Sequence, residues 1–331
     1  MTHAITRFVV GFGLLVGVLS CDRDGGAGGG KGEVVLYTAI DEQVARPIVA
    51  EFEKRTGIKV KLKTDTEASK TSGLVTLLRA EQKNPQADVF WNNEVFHSIN
   101  LAGEGVLASY ESPSAKDLPA GFRDAGNKWA ACGLRIRVIA TAPGVSGVET
   151  MEDLADPTKV GKGKGCMAFP ALGTVSGHLA ALRQQWGAKK YEAWLKGLEA
   201  QEVKLLGGNS EVVKQISQGN MLAGPTDNDD VEAMIREDGP GKVRAAPAKT
   251  KEKGTLTIPT TVGLVAGAKH DAEAKRLIDY LLSAEVENKL VEAKFAIRPA
   301  RGAEAEWDYV EVAKVMKEAV DKAREVLEGK K

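Results

Sequence analysis

Short β-rich apolar runs alternate with amphipathic stretches along most of this 331-residue chain, and that alternation restricts its fold more than any other feature. "EVVLYTA" (33–39) is an apolar run rich in β-formers. The next segment places Val44, Ile48 and Phe52 four residues apart and stops at Gly57, the pattern of a helix with one buried face. "IKVKLKT" (58–64) alternates apolar and basic residues, which predicts a half-exposed strand. A helix is expected over 71–82, a short buried strand over 87–91, and another helix after it. This β-α-β-α-β-α order predicts an α/β fold with a parallel sheet and helices on its faces.

A second set follows. Strands are expected at 135–141, 165–170, 203–207, 242–248 and 255–269, with helices between them, and the end of the chain is expected to be helical over 271–283, 284–293 and from Trp307 onward. "MLAG" (221–224) reads as a further short strand before the helix that holds "DNDDVEAMIRED". No internal repeat is visible. Two such units in one chain predict two lobes with a cleft between them.

The first twenty residues stand apart. Arg7, an apolar stretch from Phe8 to Leu19, and Ser20 before Cys21 form a secretory signal. "VLSC" resembles a bacterial lipobox, in which Cys21 becomes the lipidated N-terminus. The glycine-rich "DRDGGAGGGKG" after it suits a tether, so residues 21–32 are expected to join the folded chain to a bilayer. About 310 residues then remain, enough for two domains at about 150 each. The chain is therefore expected to be exported, periplasmic or on the cell surface, and membrane-anchored. An oxidising compartment would allow Cys132 and Cys166 to form a disulfide; two buried thiols are the alternative. Charge is balanced, with 45 basic and 45 acidic residues, so nothing favours a nucleic-acid partner. A monomer is expected.

In open α/β sheets, ligands gather beyond the carboxyl ends of the strands, where helices begin. Residues at those points are Thr38, Asp41 and Glu42; Asp65 and Glu67; Asn92, Asn93 and Glu94; Gly173, Thr174 and Ser176; Asn209 and Ser210; and Thr226, Asp227, Asn228, Asp229 and Asp230. Each acid alone reads more simply as a helix cap, because it suits the free N–H groups and positive end of a helix. Their convergence on one rim argues for a ligand. The densest group is "GPTDNDD" (224–230), where Asp227 or Asn228 could cap the next helix while Asp229 and Asp230 offer oxygen ligands. Arg135 and Arg137 either grip an anionic part of a ligand or form a hinge salt bridge to these acids. Trp91 either packs in the core or offers its face to an organic cation.

Four stretches taken together, "VVLYTAIDEQVARPIVAEFEKRTGIKVK", "PQADVFWNNEV", "GCMAFPALGTVSGHLAALR" and "LAGPTDNDD", resemble the family 1 extracellular solute-binding proteins of bacterial ABC importers. The branch most similar is the periplasmic ferric-iron-binding proteins. The resemblance implies a two-lobed, type II-like periplasmic-binding-protein fold, each lobe a sheet flanked by helices, hinged around a ligand cleft. The lobes would divide as 33–136 with 262–300 and 137–261 with 301–331. It implies an ABC permease and ATPase as partners. Ferric members use a histidine after the first strand, a glutamate after "ADVF", two adjacent tyrosines, and an anion at a helix N-terminus. Here Asp41 stands near the histidine position and Glu94 one residue late for the glutamate. Gly173, Thr174 and Val175, with Asn209 in support, stand at the anion position. Neither tyrosine is present; Tyr37, Tyr110, Tyr191, Tyr280 and Tyr309 lie elsewhere. The implied metal set is thus Asp41, Glu94, Asp227, Asp229 and Asp230.

Carboxylates suit calcium, magnesium, manganese and iron alike. The expected cargo is a small cation, foremost iron as Fe3+ with an accompanying anion; an amine or aminophosphonate is the alternative. A role as an enzyme is not expected. "GTVSG" displaces the serine of a nucleophile elbow by one position, and no HExxH is present. No catalytic cofactor is expected. A lipoprotein that senses a ligand for a receptor is a third reading.

Overall fold

The computed structural model describes Met1 and residues 32–65 and 71–329. The signal segment, Cys21, nearly all of the tether, and Glu67 lie outside the described residues.

β1 (Glu33–Thr38) pairs in parallel with β2 (Lys59–Thr64) on one side and β3 (Val89–Asn92) on the other. α1 (Glu42–Thr56) crosses between β1 and β2 and buries Val44, Ala45, Ile48, Val49 and Phe52. It ends at Gly57, whose left-handed backbone (φ 74°) lets its N–H reach the Glu53 carbonyl at 2.8 Å. β2 is an edge strand, and its exposed lysines Lys59, Lys61 and Lys63 discourage pairing with another chain. α2 (Ser72–Ala80) and α3 (Phe96–Gly103) complete this unit.

The sheet then departs from the parallel pattern. β10 (Thr257–Val265), from far along the chain, runs antiparallel to β3 and beside the short β4 (Leu107–Ala108). β5 (Ala130–Thr141) joins the two lobes. Its first half pairs antiparallel with β10, from Ala130 opposite Val262 to Ile136 opposite Thr257. Its second half, from Arg137 to Thr141, pairs with β8 (Ala223–Asp227), and Val138 to Thr141 also with β9 (Arg244–Pro247). The strand order is β2-β1-β3-β10-β5-β8. β6 (Cys166–Ala168) and β7 (Lys204–Leu206) form a small parallel pair in the second lobe.

α4 (Gly173–Ala200) breaks at Gly187, where φ 72° and ψ 168° leave the helix; before the break it is buried all round from Gly173 to Leu182, and after it only Tyr191, Trp194, Leu195 and Leu198 are buried. α5 (Asn209–Ser217) and α6 (Asn228–Asp238) follow β7 and β8. α7 (Asp271–Leu281) and α8 (Ala284–Glu292) return to the first lobe, against β10 and the start of β5. The expected C-terminal helix is two: α9 (Tyr309–Lys314), against α3 and α4, and α10 (Met316–Leu327), along α4. Cys132 on β5 and Cys166 on β6 are free and buried; the disulfide allowed by the sequence is not made. Among the described residues no helix is long and apolar enough to cross a membrane.

Candidate functional site

The alternation of β5 puts Arg135 and Arg137, two residues apart, on one face of the strand. β8 lies antiparallel beside it, with Asp227 opposite Arg137. One residue on, α6 begins, and Asp229 and Asp230 occupy its first turn, where the positive helix end favours carboxylates. Sheet register and helix start together gather two guanidinium groups and three carboxylates in the protein interior.

Arg137 is fully buried. Its Nη1 donates to Asp227 Oδ1 at 2.6 Å, to Thr174 Oγ1 at 3.0 Å and to Asn209 Oδ1 at 3.2 Å, and its Nε donates to His178 Nδ1 at 3.2 Å. Arg135 donates from Nη2 to Asp227 Oδ2 at 2.9 Å, from Nε to Asp229 Oδ1 at 3.0 Å, and from Nη1 to the Asn93 carbonyl at 3.0 Å. Asp227 Oδ2 also accepts from Thr174 Oγ1 at 2.6 Å and Asn209 Nδ2 at 3.0 Å. Both oxygens of Asp227 are therefore engaged. Burial opposes its charge, but Arg137 and then Arg135 overcome that and hold its carboxyl well below the usual range. Asp229 moves the other way: burial raises it, Arg135 only partly compensates, and the charges of Asp227 and Asp41 raise it further. His178 is held neutral by burial and by the Arg137 charge, which leaves Nδ1 free to accept.

Carboxylate oxygens of Asp227, Asp229 and Asp230 lie within 4.8 Å of one another, close enough to share a cation. Three carboxylates face two guanidinium groups, and Asp41 adds negative charge from the start of α1. A cavity of about 20 Å³ adjoins the cluster, lined by the polar Asn93, Arg135, Thr174, Asn209, Asp227 and Asp230 and by apolar residues such as Leu172 and Val175, with room for a water-sized group.

Other candidates serve elsewhere. Glu94 is fully buried and accepts from Phe96 N at 2.7 Å and from His97 N and Asn92 Nδ2, each at 2.9 Å. It holds the free N–H groups at the start of α3 and is not one of the carboxylates that cluster. Asp227, despite its N-cap position, makes no side-chain cap, because the arginines hold it. Asn228 ties α6 to β5 and to the segment after α8: its Oδ1 accepts from Ile136 N at 2.9 Å and its Nδ2 donates to Phe295 O at 3.0 Å. Glu42 is exposed and pairs with Arg46 one helical turn along. Trp91 is fully buried in the core of β3, and Thr38 donates to its carbonyl at 2.9 Å. Asn93 accepts from Thr71 Oγ1 at 2.8 Å as well as from Arg135. His178 was not a site candidate from the sequence. Its one signal is the four-residue spacing from Thr174, which puts both on one face of α4.

Residues 38–288 match the family of bacterial extracellular solute-binding proteins, and the chain belongs to that family. It is the substrate-binding component of an ABC importer, not an enzyme. A putative 2-aminoethylphosphonate-binding periplasmic protein of Salmonella typhi is 26% identical over 238 residues, 68% of this chain and 66% of that one. The major ferric iron-binding protein of Neisseria meningitidis serogroup B is 23% identical over 277 residues, 81% of each. The fold matches iron-bound HitA from Pseudomonas aeruginosa with a TM-score of 0.78 at 22% identity, over 89% of this chain and 99% of that one.

Proposed function

We propose that the chain captures a small cationic ligand at Asp227, Asp229 and Asp230, with Asp41 adding charge, and delivers it to an ABC permease and ATPase. The observation that carries this reading is the group of three buried carboxylates whose oxygens lie within 4.8 Å of one another beside the cavity. Carboxylates buried so close together repel one another, and a cation among them relieves that repulsion. Asn93, Arg135, Gly173, Thr174 and Asn209 complete the walls of the site.

Iron is the first candidate cargo. Hard oxygen donors within reach of one ion support it, as do the ferric-ion-binding relatives. A second reading, an amine-bearing solute such as an aminophosphonate, is favoured by a separate observation. Asp227 has both oxygens occupied, and the same cavity adjoins the start of α4 at Gly173, where an anionic group is favoured.

The lobes divide as 33–136 with 262–300 and 137–261 with 301–331, a division supported by the change of partners along β5 and by the packing of α10 on α4. Cys21 carries a lipid, and residues 21–32 tether the domain to the membrane.

The test is a thermal-shift panel on metal-stripped protein. Ferric, ferrous, manganese and calcium ions are tried with and without carbonate or phosphate, beside small amines and aminophosphonates. A specific shift that disappears when Asp229 and Asp230 are both replaced by alanine is the expected result. A shift that survives that replacement rules out this site. Silence toward every metal with a clear response to an amine gives the site to the second reading.

A further inference from the structure

A second cavity, also of about 20 Å³, lies among residues 110–116, residues 123–130, β10 and α7. It shares no lining residue with the acid cluster or with the cavity beside that cluster. A local turn builds it. Asp124 Oδ2 accepts from Gly126 N at 2.9 Å and from Lys128 N at 3.1 Å, and the chain folds back so that Arg123 lies opposite Ala130. Tyr110 N donates to the Asn127 carbonyl at 2.9 Å and ties the 110–116 segment to that turn.

The lining is rich in donors. Trp129 is only 4% exposed, yet its Nε1 meets no acceptor. An indole N–H can only donate, and leaving it buried and unpaired is costly. The half-buried Arg123 and the exposed Lys116 line the same space. Among the described residues, neither side chain makes a hydrogen bond or an ion pair. Lys128, whose Nζ donates to the Ala102 carbonyl at 2.8 Å, adds a third positive charge. Against these stands one carboxylate of the lining, the exposed Glu111. Asp279, outside the lining, already accepts from Tyr110 at 3.0 Å and from Ser112 at 2.6 Å. Val262, Leu264, Ile278 and Leu282 form an apolar wall, which strengthens a charged contact made beside it. A water in this space would satisfy Trp129 but leave the positive charge unanswered. A negatively charged oxygen answers both.

We propose that this cavity is an anion site. An oxyanion, as a carboxylate or a phosphate, places one oxygen on Trp129 Nε1 and its charge against Arg123 and Lys116. The space admits one water-sized group, so the head of the anion enters and the rest of the ligand stays at the mouth. The site is separate from the acid cluster and holds whatever the cargo there.

The test titrates metal-stripped full-length protein with sodium acetate and, separately, sodium phosphate, at ionic strength held constant with sodium chloride. NMR follows the indole N–H groups. The chain has five tryptophans, and Trp129→Phe identifies the Trp129 signal by its loss. That signal is expected to shift saturably with at least one of the two anions. Arg123→Gln is expected to weaken the response at least about tenfold, as loss of a charged hydrogen-bond donor predicts. Lys116→Glu, which reverses one charge at an exposed position, is expected to weaken it severalfold. A response to acetate supports a carboxylate ligand, and a response to phosphate alone supports a phosphate. A Trp129 signal that neither anion moves would mean that the cavity holds only water, and the proposal would fall. A response that Arg123→Gln retains in full would also overturn it. Should Arg123→Gln not fold, an unchanged response in Lys116→Glu decides against the site, and a weakened one supports it.

Discussion

The ring of Phe96, on α3, packs directly on the bare backbone of Gly177, on α4: a Cβ at 177 would meet the ring at 2.1 Å. Phe96 also meets Tyr309 edge-on, with ring centres 6.1 Å apart. This is a close contact between α3 and α4 that only glycine permits.

Gly177→Ala therefore tests how firmly α3 and α4 are held together. Inside an exposed helix the change would stabilise by about 1 kcal/mol. Here the overlap with Phe96 is expected to reverse the sign and cost about 1–3 kcal/mol, or to push the two helices apart. Thermal unfolding reads the first outcome and small-angle scattering the second. A variant as stable and as compact as wild type would mean that α3 and α4 do not meet at Phe96 in solution.

Glu94 separates a helix cap from a ligand. Glu94→Ala removes the acceptor for two backbone N–H groups at the start of α3 and for Asn92, and is expected to cost about 1–3 kcal/mol. Cargo affinity of the folded variant is expected to change only severalfold. A loss as large as that of Asp229→Ala, with stability unchanged, would return Glu94 to the metal set.

These residues mark where the sequence could be read. Spacings of four and two locate α1 and β2, which each turn one face to the core, and unbroken apolar runs locate β1 and β3. They do not reveal that β10 inserts between β3 and β5, since strand periodicity fixes which face is buried but not which strand lies alongside. The start of β5 was hidden because "AACG" is small and carries no alternation. Asp227, Asp229 and Asp230 were legible as a cluster by adjacency alone. Glu94 and Glu42 were not separable from them, because a carboxylate at a helix start has the same sequence signature whether it caps or binds. The hinge salt bridge, one of two readings of Arg135 and Arg137, is the one adopted, and it needed the register of β5 on β8 to be decided.

The two thiols provide a check on the fold. Burial pushes Cys132 and Cys166 each up to about 12, so neither is a thiolate at neutral pH. With Cys21 removed, native protein is expected to react negligibly with a thiol reagent, and two thiols are expected to titrate once denaturant unfolds it. Absence of reactive thiols in the unfolded, unreduced protein would mean that the pair is bridged.

Asp229 gives binding a pH dependence with a defined sign. Burial, then the charges of Asp227 and Asp41, push its carboxyl up to about 6 against the pull of Arg135. A cationic ligand needs the charged form. Affinity is therefore expected to be full above about 6 and to fall below it by up to about tenfold per pH unit. Stability of the ligand-free protein runs the opposite way through this group. Its folded pKa lies above the ordinary value of 3.8, so its contribution is fully present below 3.8 and is lost as pH rises through about 6. Asp227, lowered to about 2 against the opposing effect of burial by Arg137 and Arg135, contributes stability above 3.8 that is lost as pH falls through about 2. Between about 4 and 6 the Asp229 contribution thus weakens the empty protein while ligand binding strengthens. Calorimetric titration and thermal unfolding across that window, on wild type and Asp229→Asn, isolate the effect. The variant is expected to lose both slopes, and an affinity that stays flat across the window in wild type would remove Asp229 from contact with the ligand's charge.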